Sequence, residues 1–212
     1  IIQIGLPAGI QSCMFSLSNV VIQSSVNSFG SVVIAGNAAA ANVGNFVYQA
    51  MNTFQQAVTC FAGQNIGARK PRRVLTSMYV CLFWAFSFGV VLGLLSCAFG
   101  AQLLSLYSTD ADVIQVGLNR MYFVCGPYFL CGIMDLFPGA LRGMGCSAVP
   151  MILSVIGTVG TRIVWIFGIF PQHRSLYVLF ISYPGSWIIT IIMQVICYLI
   201  MRKKVHSRAA AV

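Results

Sequence analysis

Asp135 is the residue from which any chemistry in this chain has to be argued. It is one of only three acidic side chains in 212 residues, all of them aspartates, and it lies inside an apolar run of membrane-crossing length. A charged side chain at that depth costs about 2.5–3.5 kcal/mol on insertion scales, which makes it a functional candidate by default. Pro127 and Pro138 flank it. Each lacks an N–H, so the carbonyls of Phe123 and Met134 lose their helical partners, and a helix break is expected at each proline. A carboxylate beside the freed Met134 carbonyl is a seat for Na⁺ or a proton, with the Tyr128 hydroxyl seven residues earlier on nearly the same face. The competing reading is structural pairing with a cation. Arg162 is the other charge near mid-membrane, roughly 8 Å away in depth, and Arg142 lies about 10 Å further along the same helix. Both readings stay open at the level of the sequence.

Amides form the second set of candidate residues. Ser12, Ser16, Asn19, Gln23 and Asn27 fall in one sector of a first helix, and Asn42, Asn45, Gln49, Asn52, Gln56 and Thr59 share one face of a second. Amides facing lipid lose their hydrogen bonds, so these stripes must meet protein or water. Polar stripes can act as interhelical glue, at roughly 0.6 kcal/mol per hydrogen bond. Their number here favours a water-filled cavity lined by Asn19, Gln23, Asn42, Asn45, Gln49, Asn52 and Gln56. Only two histidines are present, and the eight cysteines contain no CxxC pair. No metal centre and no cofactor is therefore expected beyond Na⁺ or H⁺ as coupling ion. No nucleophile–base pair is visible, which argues against an enzyme.

The elements that must position these groups are membrane helices. The composition is 58% hydrophobic and 7% charged, with mean hydropathy +0.88. Soluble domains carry about a quarter charged residues. At roughly 20 residues per crossing, the chain reads as an all-α, polytopic bundle of about six spans near 5–27, 36–62, 75–99, 118–141, 150–170 and 176–200. Continuous apolar runs favour helices over a barrel, whose strands alternate in short segments of about 10 residues. Arg69, Lys70, Arg72 and Arg73, then Arg142, then Arg202, Lys203, Lys204 and Arg208 all fall on one side of such a bundle, whereas Asp110, Asp112, Arg120, His173 and Arg174 fall on the other. The positive-inside rule then places both termini in the cytoplasm, and the net charge of +9 signals topology rather than nucleic acid. Residues 1–201 are expected to form the bundle and 202–212 a loosely ordered basic cytoplasmic tail. Trp187 reads as an interfacial anchor. A first residue Ile1 already at the edge of a span is expected of a fragment of a longer protein.

Four segments together resemble the MATE family of multidrug and toxic compound extrusion transporters: SNVVIQSSVNSFG (18–30), VIAGNAAAANVGNFVYQAMNTFQQA (33–57), GQNIGARK (63–70) and GALRGMGCSAVP (139–150). The resemblance covers essentially the whole chain and corresponds to the carboxy-terminal six-helix half. It implies one lobe of a two-bundle transporter in the plasma (cell inner) membrane that exports cationic amphipathic drugs by Na⁺ or H⁺ antiport and needs a missing amino-terminal lobe as partner. It also implies a cation-coupling role for Asp135, although the glutamate that NorM-like members use in the first helix of this half is absent here. Two alternatives remain: a flippase for lipid-linked precursors, and a non-transporting membrane module or assembly subunit. The first two spans carry no Lys or Arg, which favours cationic or neutral cargo over pyrophosphate.

Overall fold

The computed structural model describes the backbone of residues 2–210 and the side chains of residues 5–70 and 72–202. Within these residues there is helix and no strand. The chain runs through α1 (Ile2–Asn27), α2 (Ser31–Gly67), α3 (Pro71–Ala98), a short α4 (Gly100–Ser105), α5 (Ala111–Arg120) and α6 (Tyr128–Gly143). It continues through α7 (Ala148–Ser154), α8 (Thr161–Val164) and α9 (Leu176–Ala210). A π-helical turn, Met121–Cys125, prolongs α5. A second, Val155–Gly160, joins α7 to α8, and a third, Trp165–Ile169, prolongs α8, so that the four form one rod. Six rods result, and five are long and apolar enough to cross a membrane if the bent pair α5–α6 counts as one. The sixth, α2, is 37 residues long, or about 55 Å at the helical rise. Its amides make it less apolar than the other five.

Several boundaries differ from the sequence expectation. The fourth rod begins at Ala111 rather than 118, because the Asp110 carboxylate caps it by accepting from the Asp112 N–H at 3.0 Å. The expected break at Pro127 is present as a 42° bend between the two halves of that rod. The expected break at Pro138 is not: α6 continues through it to Gly143. One missing hydrogen bond does not part a helix that is clamped against its neighbour on both sides of the proline. The tail is likewise helical as far as Ala210, since neither Gly nor Pro interrupts the run after Gly185; residues 211–212 lie outside the described part.

The clamp is a seam of small residues between α2 and α6. A Cβ on Gly139 would sit 2.9 Å from the Gln55 carbonyl oxygen, and one on Gly143 would sit 2.5 Å from that of Thr59. Higher in the bundle, Gly44 faces the Tyr128 hydroxyl and Gly132 faces the Met51 sulfur. The pairs 44 with 128 and 63 with 143 make the two helices parallel, so their C-terminal ends meet. Both then stop in the same way. Lys70 N–H bonds to Asn65 O and Arg69 N–H to Ile66 O, while Cys146 N–H bonds to Leu141 O and Gly145 N–H to Arg142 O. These are paired Schellman closures whose left-handed residues are Arg69 (φ 56°) and Gly145 (φ 85°). Leu136, Ala140 and Leu141 fill the adjoining core with Val58, Met78 and Ala85. On the far side of α3, Phe83, Trp84, Phe86 and Phe88 are exposed as a lipid-facing belt.

Enlarging the seam tests it. Gly143→Val is expected to lower the thermal midpoint of the detergent-solubilised protein, through overpacking worth about 1–3 kcal/mol. Gly168→Ala, where an added Cβ meets nothing within 4 Å, should leave it unchanged. Equal midpoints for the two variants would remove the seam from the account.

Candidate functional site

Five of the six rods enclose a cavity of about 430 Å³, with α1 and α2 on one side and α5–α6, α8 and α9 on the other. Asp135 lies on its wall at 5% exposure. Within the described residues it forms no salt bridge. Tyr48 of α2 lines the same cavity as the carboxylate and is the phenol whose charge interaction with Asp135 is strongest. The sequence had put Tyr128 in that place. Instead Tyr128 stacks on Trp187, with ring centroids 5.6 Å apart, and Tyr183 meets the other side of Trp187 edge-on at 6.2 Å. Trp187 is therefore a buried wall of the cavity and not an interfacial anchor.

Neither candidate cation pairs with Asp135. Arg162, at 5% exposure, donates from Nη1 to Asn19 Oδ1 at 3.0 Å and from Nε to Ser186 Oγ at 3.2 Å. Its guanidinium also lies 4.4 Å from the Tyr183 ring centroid. Arg162 thus ties α8 to α1 and α9 through neutral groups, and its depth alone was a poor guide to its partner. Arg142 donates to Gln11 Oε1 at 2.6 Å, and it is the cation that acts on Asp135 electrostatically from beyond salt-bridge range. Met134 also lines the cavity, where its sulfur accepts from Thr158 Oγ1 at 3.7 Å.

The amides divide in two. Asn19, Gln23 and Asn45 line the cavity; Asn42, Gln49, Asn52 and Gln56 do not. Asn42, Gln49 and Gln56 are exposed and Asn52 half-exposed, so the stripe continues down the open face of α2 past the cavity. Several lining groups went unrecognised in the sequence. Arg120 is buried and donates to the Asn37 carbonyl oxygen at 3.0 Å, while the Asn37 amide donates to Gln23 Oε1 at 2.7 Å. Behind the wall, Ser182, Ser186, Thr190 and Gln194 form a column on α9 at 0% exposure. Their spacing of four residues was a legible helical stripe in an otherwise apolar run. Thr158 and Thr190 share a hydrogen bond at 3.0 Å, and Gln194 donates to Pro150 O and Ser154 Oγ, both at 2.8 Å.

Helices long and apolar enough to cross a membrane, enclosing a polar cavity and with no strand among the described residues, define an all-α polytopic membrane protein. The MatE family model matches residues 7–167, and the chain belongs to that family. Among its relatives, the probable multidrug resistance protein YoeA of Bacillus subtilis is 25% identical over 195 residues, covering 91% of this chain and 42% of YoeA. A probable multidrug resistance protein NorM of Idiomarina loihiensis is 29% identical over 161 residues, covering 74% of this chain and 34% of that protein. The Vibrio cholerae MATE transporter VcmN in its bent form superimposes with a TM-score of 0.84 at 17% identity, covering 96% of this chain and 46% of VcmN. That likeness is one of fold. The chain thus spans less than half the length of these relatives.

The split among the amides can be measured. Cysteine placed at Asn45, Gln49 or Gln56 is expected to react with a membrane-impermeant maleimide at least tenfold faster than cysteine at Phe46, which is 75% exposed on the same helix. Equal rates at all four positions would mean that the stripe is not wetted.

Proposed function

We propose that this chain forms one lobe of a secondary efflux carrier in which Asp135 takes up the coupling cation, Na⁺ or H⁺, while small amphipathic molecules leave through the cavity. One observation carries the reading: a carboxylate buried on the wall of a membrane-depth cavity, with a phenol beside it and no salt bridge. A charge so placed is costly unless it exchanges a counter-ion, and that exchange is what coupling requires. The Met134 carbonyl, left without its helical donor by Pro138, is a second oxygen for the same ion. Membership of the MatE family and the multidrug resistance relatives support the transport reading. A second lobe facing the open side of α1 and α2 would complete the pathway, because alternating access needs one body to move against another.

The orientation that fits is cytoplasmic for the turn after α2 and the turn after α6, in a plasma membrane, following the basic residues gathered there. The expectation of cationic cargo rests on the absence of Lys and Arg from α1 and α2. Arg120 and Arg162 on the cavity wall weigh against a purely cationic substrate. They also supply the basic groups that flipping of a lipid-linked precursor would need, which keeps that second reading alive.

In cells expressing the complete natural reading frame, Asp135→Asn is expected to abolish gradient-driven dye efflux at unchanged membrane abundance. Running the assay with a sodium gradient alone and then with a proton gradient alone identifies the ion. Full efflux by Asp135→Asn under both gradients would overturn the reading.

A further inference from the structure

We propose that the groove between the C-terminal end of α2 and the start of α3 binds an anionic phospholipid, its phosphodiester held by Lys70 and Arg73 and its acyl chains lying along the exposed aromatic side of α3. The site is separate from the cavity, and the inference does not rest on the efflux reading.

Arg69, Lys70, Arg72 and Arg73 crowd the turn that joins α2 to α3. Two of them, Lys70 and Arg73, line an open groove of about 650 Å³ together with Phe61, Gln64 and Asn65 of α2 and Thr76 of α3. No carboxylate answers these charges. Of the chain's three acids, Asp110 and Asp112 follow the opposite end of α3, and Asp135 is buried on the cavity wall. Among the described residues neither the Lys70 nor the Arg73 side chain makes a hydrogen bond or a salt bridge, and the Thr76 hydroxyl is also free. Asn65 and Ser77, by contrast, use their donors within their own helices, on Phe61 O at 2.7 Å and Arg73 O at 2.9 Å. The donors left over are an ammonium, a guanidinium and a hydroxyl, gathered at one groove. A guanidinium takes phosphate oxygens two at a time, and an ammonium meets them as a point charge.

The surroundings of the groove make its occupant a lipid rather than a free anion. Phe61, on the lining, is 52% exposed. From Arg73 the same side of α3 continues at helical spacing through Ser77, Val80, Trp84 and Phe88, and the last three are exposed. Phe88 packs against Phe54 of α2, with ring centroids 5.6 Å apart, and against Trp84 at 5.8 Å. The cationic groove therefore sits at one end of an apolar track about 22 Å long at the helical rise. Head and track together have the polarity of an amphiphile with an anionic headgroup and hydrocarbon tails. Basic pockets between membrane helices at the cytoplasmic side hold such headgroups. A charge run that is only solvated has no use for the track, and neither has inorganic phosphate.

The test measures lipid binding by native mass spectrometry on the complete natural reading frame, delipidated in detergent. The probes are dioleoyl-phosphatidylglycerol, dioleoyl-phosphatidylcholine and inorganic phosphate. Phosphatidylglycerol should bind about tenfold more tightly than phosphatidylcholine, whose chains are the same. Replacing Lys70→Gln and Arg73→Gln together should reduce that preference to about twofold. Replacing Arg69→Gln and Arg72→Gln together removes the same charge from residues that do not line the groove, and should leave the preference intact. All four side chains are exposed, so both variants are expected to fold. Inorganic phosphate in large excess should fail to displace the lipid. Equal losses in the two double variants would reveal a diffuse basic surface and overturn the proposal. So would equal binding of the two lipids, or displacement by phosphate, which would assign Lys70 and Arg73 to a free anion. No gradient is applied, so this result and the Asp135 efflux assay stand or fall separately.

Discussion

The approach of α2 to α6 at backbone contact is the constraint on which the rest of the structure depends. Lipid tails are as apolar as leucine, so membrane helices gain little from hydrophobic burial against each other and associate through close packing. Gly132, Gly139 and Gly143 on α6, with Gly44 on α2, remove the side chains that would hold the two apart. Pressed together and parallel, they bring Tyr48 to Asp135 and keep α6 intact through Pro138. The proline still withholds its N–H from the Met134 carbonyl, and the helix continues unbroken past it.

Burial without pairing is the second principle of the cavity. Removing two opposite charges from water is repaid only by good mutual geometry. This bundle takes another route, giving Arg162 an amide, a hydroxyl and an aromatic face and leaving Asp135 a phenol. A permanent Arg162–Asp135 bridge would have locked α8 to α6 and neutralised the carboxylate at the same stroke. The neutral partners let Arg162 brace α8 against α1 and α9, and the carboxylate is spared.

How much of this was legible in the sequence follows from what each signal measures. Apolar run length marks helices well, and it located six rods, the polar faces of α1 and α2, and the lone carboxylate. It marks helix ends poorly. Starting the fourth rod at 118 put Arg120 at its outer end, on the side opposite the basic clusters. The Asp110 cap shows that the rod starts seven residues earlier, which moves Arg120 about 10 Å inward. The cap was readable, and with it the cavity's second guanidinium. Tyr48 was hidden for a different reason: it lies beside the amide stripe on a helix whose rotation only the glycine seam fixes. Depth alone made Arg162 look like a partner for Asp135, but depth says nothing of direction, and Asn19 and Ser186 lie closer to hand.

The amide stripe on α2 sets what the open face of the lobe can meet. Asn42, Gln49 and Gln56 are exposed and lie outside the cavity lining, spread over about 21 Å of helix at the helical rise. Each unsatisfied amide in hydrocarbon costs several kcal/mol, and several in a row would outweigh the gain from inserting the helix. The face therefore meets water or another polar protein surface along its whole depth. Covering that face with a second body would replace water by protein, and the amides would tolerate either state because they bond equally well to both.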